Sequence, residues 1–211
     1  MSDSREARAE QRRQDGPNDE AVEEEIEIEF EEVVGEGAER LHRTLRATLV
    51  TGFLGGVEVG IGVLVYLGIL YQTGDQLLAG LGFSIGLIAL LLAHSELFTE
   101  NFLLPIAALV AREGTWLDLA KLWGGTLLSN LLGGWLIMAI IVLAFPDWHP
   151  VLAETAEHFI EAPLTLEFAA LAILGGAVIT LMTRMQTGTE SVPAKIAAAV
   201  AGGFVLAGLQ L

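Results

Sequence analysis

Cysteine is absent from all 211 residues, which excludes a disulfide framework and any thiolate metal site. Basic residues are few, eleven Lys and Arg against twenty-seven Asp and Glu, for a net charge of −16. No nucleic-acid partner is expected of such a chain. No short apolar run stands near the start, because the first forty or so residues are polar. A secretory signal is therefore not expected, and the first apolar helix must act as its own insertion signal. There is no Ser in a Gly-x-Ser-x-Gly turn of the hydrolase kind and no pair of histidines at metal spacing. The expectation is accordingly a protein that is not an enzyme and that carries neither metal nor cofactor.

What is present is apolar: 53% of the residues are hydrophobic. That figure conflicts with the charge unless the two are segregated along the chain, and they are. Residues 1–46 hold seven of the eleven Lys and Arg and fifteen of the twenty-seven Asp and Glu. A soluble domain would give each helix one polar face; charge gathered into a tail and short loops is the membrane pattern. Residues 1–39 read as an acidic, mostly disordered cytoplasmic tail, including the Glu-rich run from Glu23 to Glu32, and residues 40–211 as the membrane domain.

Five candidate spans follow: Leu45–Tyr71, Leu77–Ala93 with a continuation, Leu117–Phe145, Leu166–Met185 and Val192–Leu211. Each is near the roughly 20 residues a bilayer requires, and only helices satisfy their own backbone in hydrocarbon. Arg40, Arg43 and Arg46 precede the first span. Arg112 and Lys121 flank the loop between the second and third, and Arg184 and Lys195 the loop between the fourth and fifth. The other two loops, Gln72–Gln76 and Pro146–Thr165, contain neither Lys nor Arg. All these basic residues fall on one side, which predicts a cytoplasmic N-terminus in a multi-pass protein of the cell (inner) membrane. The loop Pro146–Thr165 has amphipathic spacing, which predicts a short helix along the outer interface with Trp148 and His149 as anchors.

The second span does not end cleanly. After Ala93 come His94-Ser95-Glu96-Leu97-Phe98-Thr99-Glu100-Asn101 and then a second apolar stretch, Phe102–Ala111. The 35 residues from Leu77 to Ala111 are too many for one span and too few for two with a solvated loop. A helix broken at membrane depth beside a protein cavity resolves the conflict. Its second half would aim free N–H groups and a positive dipole end at the cavity, an environment suited to an anion.

These residues resemble the formate/nitrite transporter family. The resemblance rests on Gly82-Phe83-Ser84-Ile85-Gly86-Leu87, Glu96-Leu97-Phe98-Thr99, Ala120-Lys121-Leu122-Trp123 and Ser129-Asn130-Leu131-Leu132-Gly133-Gly134, in that order and spacing. It implies an all-α membrane protein, a six-helix inverted-repeat channel fold with a broken second helix, of which about five transmembrane helices are present here. It also implies a homopentamer in the lipid bilayer, each subunit with its own pore. Under the resemblance, Leu97, Phe98 and Thr99 form the interrupting loop, Phe98 and Leu87 narrow the pore on the cytoplasmic side, and Phe83 narrows it on the outer side. Two departures stand out: the family's Asn in the fourth span falls on Gly176, and its outer-vestibule Lys falls near Ile160. The fifth span stops where the family begins a second broken helix, so the chain is expected to be incomplete at its C-terminus.

Four further polar residues are candidates for a proton or polar relay: Glu58 in mid-span, His94 and Glu96 at the break, and Asn130 in the third span. For Asn130 the simpler reading is a hydrogen bond to unwound backbone across a helix interface. Gly52, Gly56 and Gly60, and again Gly125, Ser129 and Gly133, repeat at the spacing that lets helix backbones approach closely. His158 with Glu154 and Glu161 reads as an exposed interfacial patch. The function expected is a pH-linked channel or transporter for small monovalent anions or their conjugate acids. The alternative is a non-transporting membrane scaffold or regulator with an acidic docking tail.

Overall fold

The computed structural model describes residues 20–160 and 165–211. The remainder of the N-terminal tail and Glu161 lie outside the described residues, as does the side chain of His158. Eight α-helices run through the described part: α1 (Glu20–Leu41), α2 (Leu45–Thr73), α3 (Gln76–Ala93), α4 (Leu104–Val110), α5 (Trp116–Ala144), α6 (His149–Ile160), α7 (Leu166–Thr187) and α8 (Val192–Gly208). A 3-10 turn, Phe98–Phe102, lies between α3 and α4.

The acidic stretch suggested by sequence to be mostly disordered is helical from Glu20 onward. Glu is a good helix former, and the end of α1 is anchored: Leu41 is buried with Ala108, Leu119 and Leu122. Arg40 and Glu36 add an i,i+4 pair at 2.8 Å.

Helices α2, α3, α5 and α7 are long and apolar enough to cross a membrane. At 17 residues α8 is shorter, which at 1.5 Å per residue still reaches roughly 25 Å. The predicted spans agree with these helices to within a few residues, because each boundary carries a local signal. Thr44 caps α2 by accepting from the Ala47 N–H. Gly74, at φ 67°, closes it in the left-handed region, and Asp75 at once caps α3 through Leu78 N–H at 3.0 Å. Thr115 and Asp118 form a reciprocal capping box at the start of α5.

Helices α2 and α5 cross on small residues. A Cβ at Gly56 would stand 2.2 Å from the Asn130 carbonyl oxygen, and one at Gly133 2.2 Å from that of Phe53. The glycine repeats thus have the packing role their spacing suggested. The connection between α5 and α7 carries the amphipathic helix α6. Ahead of it, Trp148 stacks on Phe145 with ring centroids 4.0 Å apart and meets Tyr71 at 6.0 Å. Large apolar side chains remain exposed along the helices, among them Leu54 on α2, Leu132 and Leu143 on α5, and Ile173 on α7, as expected where lipid or a neighbouring subunit is the solvent.

Candidate functional site

The break in the second span is where polar side chains converge. Helix α3 ends on His94, which adopts φ 55° and ψ 36°, while the Ser95 N–H returns to the Leu90 carbonyl at 3.1 Å. A left-handed conformation is uncommon for a non-glycine residue and marks an enforced stop. Leu97 is extended, the 3-10 turn follows, and α4 restarts with Pro105 in its first turn.

Three elements hold this turn. From α5, Asn130 accepts the Phe98 N–H at 2.7 Å and donates to the Glu96 carbonyl at 2.9 Å and to the Gly52 carbonyl. From α2, the Thr51 carbonyl accepts the Glu96 N–H at 3.3 Å, and Glu58 accepts the Ser95 hydroxyl at 3.0 Å. From α1 and the turn after it come Arg40 and Arg43, of which Arg43 pairs with the Glu96 carboxylate. Arg40 lies 3.9 Å from both Glu96 and Glu100 and donates to Asn101 at 3.2 Å. Glu96, Glu100 and Asn101 are all buried. Burial pulls the Arg40 guanidinium down, but Glu100, Glu36 and Glu96 outweigh it and hold the group above its ordinary value.

Two cavities flank the turn. One, of about 620 Å³, is polar and includes His94, Glu96, Glu100, Arg40, Arg43 and Lys195 in its lining. The other, of about 890 Å³, is mostly apolar, with Phe83, Leu87, Leu97, Thr99, Gly176 and Ile179 among its lining residues. Apolar walls of this kind make a bare charge costly and a neutral solute cheap.

The candidate residues therefore divide. Phe83, Leu87, Leu97 and Thr99 come together on the apolar cavity, and His94 and Glu96 on the polar one. Phe98 sits edge-on to Phe102, centroids 5.1 Å apart, and 6.4 Å from Trp123. Asn130 and Glu58 bond to the turn itself. Gly176 lines the apolar cavity, and Ile160 ends α6 with 80% of its surface exposed. The string Gly82-Phe83-Ser84-Ile85-Gly86 does have Gly-x-Ser-x-Gly spacing, but it lies within α3, where Ser84 is buried and donates to the Val200 carbonyl at 3.0 Å. A nucleophile elbow needs a strand-to-helix turn, and this is a helix contact.

The role of Arg40 and Arg43 at the break is not evident from their place before the first span; the signal in the sequence is two carboxylates, Glu96 and Glu100, in an otherwise apolar stretch, which need cationic partners if buried. Asn101 had no such signal; its bonds to Arg40 and Thr126 span three elements.

Fold and site define a multi-pass α-helical membrane protein organised around an interrupted helix that borders an apolar cavity. The chain belongs to the formate/nitrite transporter family, whose profile matches residues 27–211. It is 28% identical over 176 residues to the formate channel FocA of Escherichia coli K12, covering 74% of this chain and 61% of that protein. It is 30% identical over 107 residues to the formate channel BtFdhC of Bacillus thuringiensis, covering 48% and 41%. The matches thus span about half the length of these curated relatives. A solved structure, a pentameric formate channel with formate bound, superposes with a TM-score of 0.69 over 79% of this chain and 69% of that one. At 19% identity that likeness speaks to the fold.

Proposed function

We propose that this chain contributes the pore of a channel for small monovalent anions or their conjugate acids, with passage linked to pH. The observation that carries the reading is the placement of the interrupted helix, which brings Leu97 and Thr99 to the same apolar cavity as Phe83 and Leu87. Dehydrating a charge between such side chains is expensive, so transit is favoured as the neutral acid. Thr99 offers a hydroxyl to the solute within that apolar lining. Family membership and the formate channels among the relatives support the substrate class.

The assembly is a homopentamer in the cell (inner) membrane, a reading supported by the pentameric structural neighbour. The N-terminus faces the cytoplasm, and residues 1–39 form an acidic cytoplasmic tail ahead of a membrane domain over 40–211, as the basic residues argue. The test is formate flux into proteoliposomes at graded pH, for the wild type and for Thr99→Ala. Flux should rise as pH falls, and the substitution should lower it. Flux that ignores both pH and Thr99 would sink the mechanism.

A further inference from the structure

We infer that Asn130 is a positioning residue: its one side-chain amide fixes the backbone on both sides of Leu97 and so sets how the turn presents Leu97 and Thr99 to the cavity. The inference deepens the pore reading above and rests on it for its functional arm.

The geometry is specific to an amide. Its oxygen accepts the Phe98 N–H at 2.7 Å, and its nitrogen donates to the Glu96 carbonyl at 2.9 Å and to the Gly52 carbonyl. Glu96 C=O and Phe98 N–H belong to the two peptide groups that flank Leu97. Holding both fixes Leu97 at φ −98° and ψ 142°, the extended step between the end of α3 and the 3-10 turn. Leu97 and, two residues on, Thr99 then line one cavity. An amide supplies two donors and an acceptor at once; an ionised carboxylate supplies only acceptors, and an aliphatic group supplies neither.

The neighbourhood is built around this contact. A Cβ at Gly55 would stand 2.3 Å from the Glu96 carbonyl oxygen, so the turn lies directly against the α2 backbone. The Asn130 amide nitrogen lies against the same glycine, 3.4 Å from a Gly55 Cβ, while a Cβ at Gly56 would stand 2.2 Å from the backbone carbonyl oxygen of Asn130. A purely structural amide would satisfy buried backbone, and its loss would lower stability everywhere alike. A positioning amide, when lost, frees the turn first and changes which solutes pass.

The experiment is hydrogen exchange on the full chain in nanodiscs, with flux measured in parallel in proteoliposomes, for wild type, Asn130→Leu and Asn130→Asp. Exchange in a peptide spanning residues 96–99 should quicken at least about tenfold in Asn130→Leu, the loss of one net hydrogen bond, while peptides within α2 and α5 stay unchanged. The ratio of formate to acetate flux should change by a similar factor. Read against wild type at the same pH, Asn130→Asp should show the same defect at pH 8 and recover part of the ratio at pH 5, because burial favours the neutral carboxyl and the protonated form regains one donor. Unchanged exchange at 96–99, exchange quickened throughout α2 and α5, or a constant flux ratio in a conducting protein would each overturn the inference. A wild type that passes neither solute refutes the pore reading separately, and the exchange data still decide whether Asn130 holds the turn. If Asn130→Leu does not assemble, the difference in exchange at 96–99 between Asn130→Asp and wild type, taken at each pH, decides it alone.

Discussion

Ser95 donates its hydroxyl to a carboxylate oxygen of Glu58 at 3.0 Å, tying the first residue after the His94 stop to the middle of the first span. The second carboxylate oxygen of Glu58 is buried without a hydrogen-bond partner among the described residues. An amide at this position keeps an acceptor for Ser95 and removes a charge from a span. Glu58→Gln should therefore leave thermal stability in detergent unchanged or higher, while Ser95→Ala should cost about 1 kcal/mol. A larger loss from Glu58→Gln than from Ser95→Ala would show that the carboxylate itself is required.

Arg43 and Arg40 bind the end of α1 to the buried Glu96. Removing Arg43 leaves that carboxylate short of its nearest counter-ion, and breaking a fully buried pair costs about 3–5 kcal/mol. Here Arg43 retains 25% side-chain exposure and Arg40 remains 3.9 Å from Glu96, so Arg43→Ala should cost about 2 kcal/mol. Adding Glu96→Gln to it should recover most of that loss in a double-mutant cycle. Additive losses would mean that the pair is not coupled.

Much of this architecture was legible in the sequence. The five spans and the break could be read because length, hydropathy and caps such as Thr44, Asp75 and Thr115 act locally. The Gly52, Gly56 and Gly60 repeat could be read because close helix approach demands small residues at that spacing. What could not be read depends on three-dimensional juxtaposition. Nothing local places Arg43 beside Glu96, 53 positions away. The same holds for Phe98, which the resemblance set at a constriction and the structure sets against Phe102 and Trp123. The helix α1 escaped because a Glu-rich run has no stable fold by itself and gains its anchor from Leu41 on α4 and α5.

Adjacent glycines on α5 give an internally controlled test of the α2–α5 crossing. A Cβ at Gly133 would sit 2.2 Å from the Phe53 carbonyl oxygen, which is backbone and cannot swing aside; at Gly134 the nearest atom is 3.8 Å away. Gly133→Ala should cost about 2–4 kcal/mol by forcing the helices apart. Gly134→Ala should be neutral or gain up to about 1 kcal/mol from helix propensity. The comparison is made by thermal unfolding of the two variants side by side, and equal effects would contradict the crossing geometry.

Orientation can be tested without background, because the chain has no cysteine of its own. Gln72, in the last turn of α2, and Glu113, in the loop before α5, are exposed at opposite ends of the second span. In intact cells a membrane-impermeant thiol reagent should label Gln72→Cys and leave Glu113→Cys until the membrane is opened. The reverse pattern would place the N-terminus outside and overturn the argument from the basic residues.

Leu87 and Phe98, paired by the resemblance as one cytoplasmic constriction, should separate on substitution. Leu87 is 3% exposed, belongs to the cluster with Met182 and Ala199, and lines the apolar cavity. Cutting it to Ala widens the path, so Leu87→Ala should admit anions that the wild type excludes, at a stability cost of about 2–3 kcal/mol. Phe98 presents its ring to Phe102 and Trp123, and its backbone N–H, the group that Asn130 accepts, survives any side-chain substitution. Phe98→Ala should therefore cost about 3 kcal/mol through lost aromatic packing while leaving the order of permeants unchanged in the channels that assemble. Flux of formate, acetate and a larger anion in proteoliposomes, normalised to folded protein, distinguishes the two. If Phe98→Ala broadens permeation as Leu87→Ala does, the ring guards the path after all, and the turn must move between this arrangement and a conducting one.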